Sequence, residues 1–216
     1  PFLSGKIGGR VVAGASDEGV YCFFKHFAVN DQEKHREGVT IYLTEQALRE
    51  IYLTGFEIAV KEGNAKCVMS AYNLVNGEYC NENKHLLVDI LRDEWNFDGV
   101  VVTDWGGNND RVEAVKCFNS LEMPTTSGDT PPEIIKAVNE GKLSIDVVNK
   151  NVDLLLDLVF DTCKISEISN KEFDVKEHHK LAQEIEEESA VLLKNNGVLP
   201  LKSTEKVAFI GDGIND

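Results

Sequence analysis

The sequence predicts an α/β fold with parallel strands, on two observations. Short apolar runs bounded by Gly and polar residues alternate with longer segments of helical period. The order strand, loop, helix then repeats, which calls for crossover connections and hence parallel pairing. With 216 residues, 42% of them hydrophobic, the chain can bury a core.

The first strand is expected at 20–24, the second at 67–71, the third at 100–103 and a short fourth at 121–123. Helices are expected between them at 44–62, with Thr44 as N-cap and Gly63 as stop, at 83–95 and at 108–118. After Pro131-Pro132 a short helix should end near Gly141, and a longer one should start at Ser144. In the latter Ile145, Val148, Val152, Leu155, Leu156 and Val159 form one stripe, read as a packing face. Residues 165–190 carry eight acids against three lysines and read as a solvated linker and helix face. Beyond the turn at 197–201, residues 206–211 read as a new buried strand opening a second domain. The expected units are 1–164, a linker at 165–178, and 179–216.

The formal charge of −15, from 22 basic and 37 acidic residues, argues against nucleic acid and against an acidic membrane surface. Five cysteines, an odd number without a C-x-x-C pair, read as reduced thiols of a cytoplasmic protein and not as a metal site. No apolar run approaches the roughly 18 residues of a membrane span, and no signal-peptide pattern is present. The chain starts at Pro1, so the true N-terminus is expected to lie upstream, and secretion stays open.

Polar residues stand at the expected strand ends: Lys25 and His26, Tyr72 and Asn73, Asp104 and Trp105. In a parallel sheet or barrel these ends share one rim, where ligands bind. Asp104 at the end of a rigid strand suits a nucleophile or general base, and equally a helix cap. His26 reads as a scaffold group or a catalyst. With Arg36, the Lys25-His26 pair offers donors to several hydroxyls, and Trp105 offers either a face for a sugar ring or a core contact. A carbohydrate site uses most of these groups.

The stretches Lys25-His-Phe-Ala-Val-Asn-Asp-Gln-Glu-Lys-His-Arg36, Val68-Met-Ser-Ala-Tyr-Asn73 with Asn76-Gly77, Phe97-Asp-Gly-Val-Val-Val-Thr-Asp-Trp105 and Leu121-Glu-Met-Pro124 resemble glycoside hydrolase family 3. Ser189-Ala-Val-Leu-Leu-Lys-Asn-Asn-Gly-Val-Leu-Pro-Leu201 is similar to the opening of that family's second domain. The resemblance implies the later portion of a (β/α)8 TIM-like barrel followed by the start of an α/β sandwich. It implies that Asp104 is the nucleophile, that Lys25, His26, Arg36 and Tyr72 line the sugar subsite, and that Met69 and Trp105 shape its wall. The implied activity is that of a retaining, exo-acting β-glucosidase without a cofactor, with β-xylosidase as the alternative. The substrate is then a β-linked glucoside or oligosaccharide.

A retaining glycosidase needs a second carboxyl group about 5 to 5.5 Å from the first. The resemblance puts that Glu in the second domain, past Asp216, while Glu33, Glu78, Glu82 and Glu122 read as surface or structural groups. The chain is therefore expected to be an internal fragment, inactive alone, packing against the missing barrel half and second domain of its parent. The loop after His26 departs from the β-N-acetylglucosaminidase branch, so His35 is given no acid/base role. Two other readings stand beside this one. The terminal Val207-Ala-Phe-Ile-Gly-Asp-Gly-Ile-Asn-Asp216 resembles the magnesium motif of haloacid-dehalogenase-like phosphatases and ATPases, without that superfamily's phosphorylated-Asp motif. A non-catalytic sugar-binding relic is the other, against which the intact Lys25, His26, Arg36, Tyr72 and Asp104 set argues.

Overall fold

The computed structural model describes residues 1–168 and 172–211. Its chain divides into two compact units, Pro1–Asn170 and Lys171–Asp216. Four strands, β1 (Phe23–Phe27), β3 (Cys67–Ser70), β6 (Val100–Val102) and β7 (Asn119–Leu121), form a sheet in the order β1-β3-β6-β7 with every pair parallel. A smaller sheet joins β2 (Thr40–Ile41) in parallel to β4 (Leu74–Val75), which pairs antiparallel with β5 (Glu78–Tyr79). Asn76 and Gly77 turn that hairpin at φ of 52° and 96°, the pair of positive values that a two-residue hairpin with the strands' own twist requires.

The helices are α1 (Phe2–Asp17), α2 (Glu45–Ala47), α3 (Thr54–Lys61), α4 (Arg111–Lys116), α5 (Thr130–Asn139) and α6 (Ile145–Ile168) in the first unit, and α7 (Val175–Ser189) in the second. Leu48–Tyr52 and His85–Glu94 are π-helical. Thr44 caps α2 by accepting from Ala47 N, and Asn83 accepts from Leu86 N at the start of the second π-helix. Phe27, Val68 and Val101 of the sheet pack with Leu48, Leu53, Leu86, Leu87, Ile90 and Leu91 of the helical layer in one buried cluster. No described helix is long and apolar enough to cross a membrane.

Five expectations change. The first strand starts three residues later than the composition suggests, because α1 closes through Gly19 at φ 83° with Val20 N still bonded to Ala15 O. Lys25 and His26 therefore lie within β1 and not after it. The fourth strand starts two residues earlier, at Asn119, where it pairs with Val101, and it ends at Leu121, beyond which the Thr103 side chain bonds the Met123 backbone. The helix expected at 44–62 is broken at Leu53. Along α6 the predicted stripe is the packing face only in part: Val148 and Leu155 are half-buried, but Ile145, Val152, Leu156 and Val159 are exposed, and Asn151 is buried and donates to Val115 O. Lastly, 206–210 form no strand, and Val207, Phe209 and Ile210 are exposed, since no described segment offers them a ladder. Part of the expected linker and the acidic end of the magnesium-like motif, 169–171 and 212–216, lie outside the described residues.

Helix α1 went unpredicted. Gly5, Gly8, Gly9 and Gly14 lower its helix propensity, yet two of them are what lets it dock. A Cβ on Gly5 would sit 2.9 Å from Gly55 Cα and from Ile58 Cδ1 of α3, and one on Gly9 would sit 3.3 Å from Ile58 Cγ2.

Candidate active site

The three Val of β6 are buried, and Thr103 N donates to Leu121 O (3.0 Å) so that the chain leaves the sheet in fixed register. Asp104 then opens a tight turn. Gly107 N closes it on Asp104 O (2.9 Å), and Gly106 takes the positive φ (75°) that the third position of such a turn demands. Gly106 N donates to Met123 O, two residues past β7 (2.7 Å), and Tyr72 Oη donates to Trp105 O (2.7 Å). Asp104 Oδ1 accepts from Trp105 N (2.8 Å). The carboxylate does not cap α4, because Asp110 does so, accepting from Val112 N and Glu113 N.

His26 Nε2 stands 3.3 Å from Asp104 Oδ2, with side-chain exposures of 27% and 13%. Burial lowers the His26 pKa below its ordinary 6.5, and Asp104 opposes that shift. Tyr72 is buried, and its phenol is raised above the ordinary range, first by burial and then by the Asp104 charge. Arg36 lies over the Tyr72 ring (4.7 Å) and donates to Glu33 Oε2 (2.8 Å), whose other oxygen accepts from Asn30 Nδ2 (3.2 Å). The Trp105 side chain is exposed and Met69 half-buried on β3. A carboxylate, an imidazole, a phenol, a guanidinium and an open indole face thus surround one strand end.

Lys25 is exposed and lines a cavity of about 200 Å³ with Ser4, Gly8, Val12, Phe24 and Phe56, between β1, α1 and α3. Among the described residues no ion pair joins it to Asp104. The peptides Lys25–His26 and Phe27–Ala28 are cis. Two of the other carboxylates have structural partners, and Glu78 is exposed. Glu82 Oε1 accepts from Asn109 N (2.8 Å) and Asp110 N (2.5 Å), with its pKa raised by burial; Glu122 is bonded by Arg111 (2.8 Å) and Thr130 (2.7 Å). Among the described residues no group of three or more His, Cys, Asp or Glu is placed to hold a metal ion.

Sequence reasoning missed the layer beneath the site. Ser70, Asn81 and Asn119 are buried and joined by hydrogen bonds under the Asp104 turn. The one signal was Ser70, a hydroxyl inside an otherwise apolar strand run.

Residues 1–156 match the model of the glycosyl hydrolase family 3 N terminal domain. The chain is 44% identical over 212 residues to the thermostable beta-glucosidase B of Acetivibrio thermocellus, covering 98% of this chain and 28% of that protein. It is 36% identical over 222 residues to an exo-alpha-(1->6)-L-arabinopyranosidase of Bifidobacterium breve, covering 98% of this chain and 29% of the relative. Among solved structures, beta-glucosidase 3B of Thermotoga neapolitana in complex with alpha-D-glucose is similar at a TM-score of 0.86 and 41% identity, covering 93% of this chain and 29% of that one. The chain thus spans under a third of the length of these relatives.

Proposed function

Because the chain belongs to glycosyl hydrolase family 3, we propose that it supplies the nucleophile and sugar-binding groups of a retaining, exo-acting β-glycosidase that removes terminal non-reducing β-D-glucosyl residues. Asp104 attacks the anomeric carbon; the C1–O bond to the leaving group breaks and a glycosyl ester forms. A second carboxyl group, contributed from outside these 216 residues, protonates the leaving oxygen and later takes a proton from the water that cleaves the ester. Glu33, Glu82 and Glu122 are otherwise engaged and Glu78 is exposed on β5, which supports an outside source.

Arg36, His26 and Tyr72 hold sugar hydroxyls, with Lys25 as a further donor and Met69 and Trp105 as the wall. Contacts that tighten as the oxocarbenium-like transition state forms lower the barrier, whereas equally tight ground-state contacts do not. The observation that carries the reading is the largely buried Asp104 carboxylate at the end of β6, beside His26 and Tyr72 and free of any capping duty. The phosphatase reading has no such support, and a non-catalytic relic has no use for a carboxylate held this way.

The test is labelling of the full-length protein with a 2-deoxy-2-fluoro-β-glucoside, followed by peptide mapping. The label is expected on the peptide holding Asp104, with Asp104→Ala losing on the order of 10⁴-fold or more in turnover. A label on any other residue overturns the assignment. The β-glucosidase and arabinopyranosidase relatives differ in the sugar they name, so turnover of aryl β-D-glucoside, β-D-xyloside and α-L-arabinopyranoside ranks the substrates.

A further inference from the structure

Beneath the Asp104 turn, one buried amide touches three segments that meet at the site. Asn81 is fully buried. Its Nδ2 donates to Ala71 O (3.1 Å), immediately before Tyr72, and to Gly107 O (2.8 Å), the last residue of the turn that Asp104 opens. Its Oδ1 accepts from Ser70 Oγ and from Asn119 Nδ2 (3.3 Å), and Asn119 Nδ2 also lies 3.2 Å from Asn81 O. Both amide hydrogens and both acceptor positions are thereby used, and two facing carbonyls leave the amide only one orientation. The loop rests directly on this group: a Cβ on Gly107 would lie 2.9 Å from Asn81 Nδ2.

We infer that Asn81 is a positioning residue for the reaction at Asp104, its amide fixing the turn that presents the carboxylate and the strand end that presents Tyr72. This rests on the reading of Asp104 as the nucleophile. Asn81 touches no reacting atom. It acts because a displacement of about 1 Å in a reacting group can lower a rate about 100-fold, and because a buried carbonyl stripped of its donor moves to find another. The change Asn81→Asp keeps the shape, removes both donors and sets an oxygen against the Ala71 and Gly107 carbonyls.

The experiment is inactivation of the full-length protein by 2-deoxy-2-fluoro-β-D-glucosyl fluoride. An Asp104 oxygen bonds to C1, and the C1–F bond breaks with fluoride taking the electron pair, so no acid is needed. The limiting inactivation rate per folded molecule is expected to fall roughly 10- to 100-fold in Asn81→Asp, with the half-saturating concentration within about 3-fold of wild type. If wild type is labelled at a residue other than Asp104, the nucleophile reading fails. If wild type is labelled at Asp104 and Asn81→Asp reacts at the wild-type limiting rate, the Asn81 inference fails alone, even where its unfolding temperature drops. Should Asn81→Asp not fold, Ser70→Ala, which removes the hydroxyl that holds Asn81 Oδ1, carries the test. A several-fold fall in limiting rate supports the inference and an unchanged rate overturns it.

Discussion

At 3.3 Å from Asp104 Oδ2, the His26 imidazole feels two opposed influences: burial favours its neutral form, the carboxylate its charged form, and burial prevails. Its folded pKa lies below 6.5, so as pH falls through 6.5 the unfolded chain takes up a proton that the folded chain refuses. Stability is therefore lost on acidification across that window. Removing the Asp104 charge with Asp104→Asn should move the His26 midpoint further down, read from its ring resonances by NMR; an upward movement would show that Asp104 is not the group that raises it. Arg92 makes a different point. Its guanidinium donates to Gly99 O (3.2 Å) and Phe118 O (2.9 Å), lies between the Phe97 and Phe118 rings, and is pushed down to about 10 by burial. Arg92→Met leaves those carbonyls without their donor, and urea unfolding should register a loss of about 2–3 kcal/mol. A change below about 0.5 kcal/mol would mean that the carbonyls find other donors.

Between elements, the α1–α3 contact separates two glycines that look alike in sequence. Gly8 has nothing within 4 Å of a Cβ, so Gly8→Ala should stabilise by about 0.5–1 kcal/mol through helix propensity alone. Gly5→Ala sets its Cβ against the backbone of Gly55 and should destabilise by about 1–3 kcal/mol. Equal unfolding midpoints for the two variants would deny the close approach of the helices. This pair also shows where the sequence was legible. Strands β3 and β6 were legible because parallel strands buried on both faces read as continuous apolar runs, and Thr44 because its hydroxyl caps a helix. Helix α1 was not, since glycines that permit close packing also erase the helical signal. The inner face of α6, a helix apolar on more than one side, was legible only in Val148 and Leu155, and its anchor, the amide of Asn151, was not. At the site, Asp104 and Tyr72 announced themselves as polar groups ending strand runs, and His26 as a polar group after an apolar run, although it lies inside β1. Asn81 did not, because an Asn in a polar stretch ordinarily marks a surface turn, and only the tertiary fold buries it.

The first unit presents two kinds of surface that a closed barrel would cover. Among the described residues the outer edges of β1 and β7 pair with no strand, and an open parallel edge is a template for association. Leu3, Ile7 and Val11 form an exposed stripe on α1, at 71%, 58% and 61% exposure, and Val152, Leu156 and Val159 form another on α6. These apolar stripes flank the same sheet that delivers Asp104, so whatever covers them also fixes the strands that carry the site. A polypeptide of only these 216 residues, prepared by itself, should then self-associate and bind a hydrophobic dye, with turnover of an aryl β-glucoside far below that of the full-length protein. Light scattering and the assay are to be read together. A compact monomer lacking activity would place the deficit in the second carboxyl group alone, and a compact monomer with full Asp104-dependent turnover would overturn the outside source of that group. Association with no turnover, relieved when the remainder of the protein is supplied in trans, is the expected result. It would make barrel closure, and not the nucleophile's own turn, the step on which activity waits.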